Sequence, residues 1–119
     1  MPAIPSFLLK KLYVKKSLRN TETGFEFTIK NNLAPASLTA LTLKVDGQEQ
    51  PLDKITAIMN DTQTKISDIS AGNPLSFSLN TDHVLQVEGE PLASGSHDIV
   101  IVVATKEAGE LEIPITASI

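Results

Sequence analysis

The chain of 119 residues contains no cysteine and no tryptophan. Without a thiol there is no disulfide, no thiolate nucleophile and no cysteine-ligated metal. Nothing therefore demands an oxidising compartment, and a cytoplasmic protein is expected. Aromatic rings are scarce, with one tyrosine, Tyr13, and four phenylalanines. Sandwich modules that hold sugars stack them on exposed rings, and this chain offers no such platform. Charge of one sign is also missing: 10 basic residues stand against 14 acidic ones, a net charge of −4. There is no basic excess to draw nucleic acid, and acidity this mild serves solubility.

Long hydrophobic runs are lacking too. In the opening "MPAIPSFLLKKLYVKK" the apolar stretch Phe7, Leu8, Leu9 is stopped by Lys10 and Lys11. It is too short for the core of a signal peptide and far from the roughly 20 apolar residues of a membrane span. Residues 1–11 read as an apolar N-terminal segment that packs on its own core or on a partner. Phe7, Leu8 and Leu9 of this segment, with Tyr13 just beyond it, are the candidate partner contacts. The length fits a single domain, 1–119, and a chain of this size buries about two thirds of its unfolded surface without staples.

What is present is period two. In "GFEFTIK", Phe25, Phe27 and Ile29 point one way and Glu26, Thr28 and Lys30 the other, the pattern of a strand with one wet face. In "SLTALTLKVDG", Thr39, Leu41, Leu43 and Val45 share a face opposite Leu38, Ala40, Thr42 and Lys44, with an ambiguous start. Asp46-Gly47 follows as a hairpin signal, because both central residues of a type I′ turn need positive φ. Ile55 to Met59 makes another strand, and Pro51 just before it predicts an edge or a corner. Ile66 and Ile69, three apart, predict one helical or 3₁₀ turn with Gly72 as a stop. Leu75, Phe77 and Leu79 alternate with serines, and "HVLQVEG" follows. Last comes a hairpin. His97, Ile99, Ile101 and Val103 alternate with Val100 and Val102, residues 107–109 turn, and Leu111, Ile113, Ile115 and Ala117 alternate with Glu110, Glu112, Pro114 and Thr116. Pro114 removes a ladder donor and predicts an edge or a bulge. Seven or eight short strands without helix-period segments predict an all-β antiparallel β-sandwich, immunoglobulin-like or a partly closed barrel.

Chemistry is harder to find. His83 and His97 each neighbour an aspartate, Asp82 and Asp98, but adjacent residues of a strand face opposite ways. A metal site would need the two imidazoles to converge across strands. His97 instead suits a structural corner, a ring that hydrogen-bonds backbone upstream as a tyrosine does in many sandwiches. No Gly-x-Ser-x-Gly elbow occurs, and no glycine cluster cradles phosphate. Glu88 with Glu90 and Glu110 with Glu112 read as solvated carboxylates rather than a catalytic dyad. No catalytic residue, no metal and no cofactor are expected. Lys10, Lys11, Lys15, Lys16 and Arg19 form a basic cluster. It is either a solvated face over inward Leu12 and Val14, or a docking surface for an acidic partner.

"VKKSLRNTETGFEFTIKNNL", then "LTLKVDGQEQPLDKIT" and later "LASGSHDIVIVV", together resemble the beta subunit of C-glycoside deglycosidases from about Leu12 to Val103. The resemblance implies a non-catalytic accessory subunit docked on a barrel-fold alpha subunit of carbohydrate metabolism, which would hold the metal and the acid–base residues. A free-standing, self-associating binding or structural domain is the alternative.

Overall fold

Alternating segments become strands when one face can be buried. The computed structural model describes residues 6–119, with side chains from residue 8 onward. In chain order its strands are β1 (Arg19–Asn20), β2 (Gly24–Lys30), β3 (Ala36–Val45), β4 (Gln48–Glu49), β5 (Ile55–Met59), β6 (Thr62–Lys65), β7 (Leu75–Phe77), β8 (Asp82–Glu88), β9 (Ser96–Thr105) and β10 (Gly109–Ser118). One short helix, α1 (Ser6–Lys10), precedes them. The strands make two antiparallel sheets in the orders β1-β2-β8-β5-β6 and β10-β9-β3-β4, with β7 also on β3. The protein is an all-β antiparallel sandwich.

The core lies between the sheets. Phe27, Ile55 and Leu85 of the first meet Leu43, Ile99, Ile101 and Ile113 of the second, all at most 2% exposed. Each such side chain contributes about 1.5–3 kcal/mol by leaving water. The ambiguous start of β3 has a cause. A register irregularity between Leu38 and Ala40 puts Leu38 on the buried face with Leu41, Leu43 and Val45. One extra residue in a strand flips the alternation on one side of it. Asp46 and Gly47 have φ of 52° and 84°, and Val45 pairs Gln48 across them, the expected two-residue turn.

Two expectations are corrected. β5 is not an edge: it lies between β8 and β6. Pro51 sits ahead of a 3₁₀ turn over Leu52–Lys54 and never enters the ladder. Leu79 does not extend β7. The strand stops at Phe77, and Leu79 is 42% exposed in a turn where Asn80 takes φ of 56°. The expected turn at Ile66 is a 3₁₀ turn, Ile66–Asp68, with Ile66 buried.

The C-terminal hairpin is the longest ladder, pairing residues 109–118 with 96–105. Ile119 and Gly95 exchange both backbone hydrogen bonds, at 3.0 Å each. Antiparallel pairs alternate between bonded and non-bonded. Hence Ile113, Ile115 and Ala117 aim their backbone groups at β9, while Glu112, Pro114, Thr116 and Ser118 aim theirs outward. β10 is the edge of its sheet, and Pro114 occupies a position where no ladder donor is lost.

Candidate functional site: a lysine groove beside an edge strand

The segment after α1 runs back along β2. Val14 N–H donates to Thr28 O at 3.0 Å and Lys30 N–H to Leu12 O at 2.7 Å. Leu12 is buried and Val14 half-buried, which leaves Lys10, Lys11, Lys15 and Lys16 outside. Ser17 N–H closes a turn on Val14 O at 3.2 Å, and its hydroxyl accepts from Thr28 N–H at 2.9 Å. Lys16 sits in that turn with φ of 66°, a left-handed conformation that costs a side chain about 1–2 kcal/mol and that turns usually give to glycine.

This segment faces residues 114–118 of β10 across a groove of about 580 Å³. Lys10, Lys11, Lys15 and Lys16 line one wall, with Tyr13 among them and no carboxylate among the described lining residues. None of the four lysines has an ion pair among the described residues; the basic residues that do are Arg19 with Glu26 (2.9 Å), Lys54 with Glu88 (3.9 Å) and His97 with Asp46 (2.7 Å). The other wall is the outward edge of β10, where Thr116 and Ser118 each present N–H and C=O and Pro114 a carbonyl. The groove therefore combines concentrated positive charge with backbone hydrogen-bonding positions that no described residue fills.

The other candidate residues fall elsewhere. Phe7's side chain lies outside the described residues, as does the segment 1–5. Leu8 is half-buried, and Leu9 is buried against the protein's own core, where it lines an apolar cavity of about 100 Å³ with Leu12, Leu38, Phe77 and Ile113. Tyr13 is half-buried, and its hydroxyl accepts from Leu18 N–H at 3.1 Å.

His97 donates from Nε2 to Ala93 O at 2.6 Å and from Nδ1 to Asp46 Oδ2 at 2.7 Å. Both partners are acceptors, an arrangement that an imidazolium, protonated on both ring nitrogens, satisfies in full. The Ala93 carbonyl and then the Asp46 carboxylate hold its pKa above the ordinary 6.5. His97, with Asp98 N–H at 2.9 Å, holds the Asp46 carboxyl below its ordinary 3.8. His83 is the reverse case. It is 2% exposed, tilted on Phe77 at 4.6 Å, with Nε2 3.5 Å from Ser78 O. Burial pushes its pKa down, so it is a neutral ring in the core. The two histidines do not meet, and among the described residues no cluster of three or more His, Asp or Glu is placed to hold a metal ion.

Sequence reasoning found the lysines but not the wall opposite them. Pro114 was the available signal: a proline in a long strand marks the side that does not pair.

Fold and groove together define a class, an all-β sandwich domain with a lysine-lined groove beside an edge strand. Residues 8–119 match the model of the family described as hydroxymethylglutaryl-CoA reductase, N-terminal domain, and the chain belongs to that family. No curated protein matches it. The family match overturns the resemblance to C-glycoside deglycosidase beta subunits, and with it the barrel-fold alpha subunit and the role in carbohydrate metabolism. The motifs behind that resemblance are generic. Asp46-Gly47 is what a type I′ turn needs, and the Gly-x-His start of β9 places a ring that ties two loops.

Proposed function

We propose that the chain is a non-catalytic, protein-contacting domain of a hydroxymethylglutaryl-CoA reductase, working in the cytoplasm through its surface. The observation that carries this is the lysine groove, where charge is gathered without internal partners. Family membership over residues 8–119 supplies the reductase. Both histidines are committed to internal contacts, which supports a role without acid–base chemistry. Lack of cysteine suits a reducing compartment. No helix among the described residues is long and apolar enough to cross a membrane.

The test is size-exclusion with light scattering on the chain mixed with the catalytic domain of a reductase from the same source. Stoichiometric co-elution is expected, with no reduction of hydroxymethylglutaryl-CoA by the chain alone. A homo-oligomer that ignores the reductase, or turnover by the isolated chain, contradicts the proposal.

A further inference from the structure

We propose that β10 accepts an extended acidic segment of a partner protein as an added strand, its carboxylates paired with Lys10, Lys11, Lys15 and Lys16. This rests on the protein-contact role above and names the chemistry of the contact. Three observations converge on the same groove. The outward edge of β10 leaves the N–H and C=O groups of Thr116 and Ser118 without ladder partners among the described residues, because the bonded pairs of the hairpin are the odd-numbered ones. Lys10, Lys11, Lys15 and Lys16 form the facing wall with no carboxylate among the described lining residues. Lys16 keeps a left-handed backbone, φ 66°, where glycine would be relaxed, and such strain is characteristic of functional positions.

The arrangement also restricts the ligand. Pro114 cannot donate, and Glu110 and Glu112 lie beyond it on β10, exposed to solvent. An acidic strand is thus confined to residues 114–118, roughly 17 Å of extended chain. Side chains of an added strand alternate in direction, so one set faces the lysines and the other continues the outer face beside Thr116 and Ser118. The segment should therefore carry acids at every second position. Strand addition of this kind draws affinity from main-chain hydrogen bonds and specificity from alternate side chains.

The test uses a fluorescein-labelled nonapeptide of alternating glutamate and valine, titrated into the full chain by fluorescence anisotropy. Three changes are each expected to weaken binding at least tenfold: glutamine in place of glutamate, N-methylation of alternate peptide amides, and Lys15→Glu with Lys16→Glu. Thr116→Pro, which removes an outward N–H, should do the same. If that variant does not fold, the N-methylated peptide still reads backbone pairing on the unaltered chain. Equal binding of the N-methylated peptide, equal binding of a lysine–valine peptide, or capture of phosphatidylserine vesicles with no peptide binding overturns the proposal. Peptide binding without reductase co-elution would leave strand addition standing and remove the reductase. Co-elution without peptide binding would do the opposite.

Discussion

The sandwich has two long sides, and they are closed differently. On one, α1 and residues 10–18 lie beside the ten-residue edge strand β10. On the other, the four-residue edge strand β6 and the short β7 flank a groove of about 540 Å³. The grooves are nearly equal in size, 580 against 540 Å³. Their chemistry is not. The first gathers Lys10, Lys11, Lys15 and Lys16; the second mixes Lys65 and Asp68 with threonines, Gln63 and Asn73. Edge strands invite unwanted pairing, and proteins blunt them by shortness, charge or proline. β6 is blunted by being short and polar. β10 is long, and is restrained by Pro114 and by lysines across the groove. Volume does not mark the candidate site; charge and an open ladder do.

The first way to break this comparison is to unseal each side. Leu12 and Ile66 are both 2% exposed, one on each side. Leu12→Ala and Ile66→Ala should each cost about 2–5 kcal/mol, read as a lower urea midpoint at constant slope. A loss under about 1 kcal/mol at either position, well below the usual cost of such a truncation, would show that the side is closed by something else.

Charge reversal sharpens the contrast. Lys15→Glu with Lys16→Glu should weaken the acidic peptide at least tenfold, about 1.4 kcal/mol, whereas Lys65→Glu in the other groove should leave it unchanged. A similar loss from both would mean that net charge, not the groove, does the binding.

Lys16→Gly tests the strain on the basic side. Relief of the left-handed penalty, less the greater freedom of glycine in the unfolded chain, predicts a gain of roughly 0.5–1 kcal/mol, visible as a higher melting temperature. On the opposite side the left-handed residue is Asn60, φ 55°, and Asn60→Gly should gain less, because asparagine tolerates that conformation.

The smallest effect is a pH dependence set by the two histidines. His97 has a raised pKa when folded, so its contribution is complete below about pH 6.5 and is lost as pH rises through the folded value. His83 has a lowered one, so its contribution is present above about pH 6.5 and is lost as pH falls. In denaturant titrations from pH 5 to 9, His97→Gln should remove the decline on the alkaline side and leave the acid side as it was. An unchanged alkaline limb would show that His97 is not an imidazolium bridge.

The sandwich was legible because alternation at 24–30, 41–45 and 96–117 is a direct image of one buried and one wet face. The Asp46-Gly47 turn was legible because few residue pairs tolerate two positive φ values. What alternation does not carry is sheet order. Pro51 suggested an edge or a corner for β5; the chain does cross there from one sheet to the other, but a proline ahead of a strand says nothing about neighbours brought in from elsewhere. The shift at Leu38 was invisible as well, since an extra residue looks like a weaker pattern. The lysines were legible as a cluster. Their partner wall lies about a hundred residues away in sequence and is joined to them only by the way the two sheets close. The family was not legible, because turn and strand-start motifs reflect backbone geometry common to many sandwiches.

Hydrogen–deuterium exchange of the chain, with and without the reductase catalytic domain, is the most direct test of a protein that works through one side of its sandwich. Protection should appear at residues 10–18 and 114–118, with none at 62–68. Protection centred on 62–68, or no change on either side, would contradict the account.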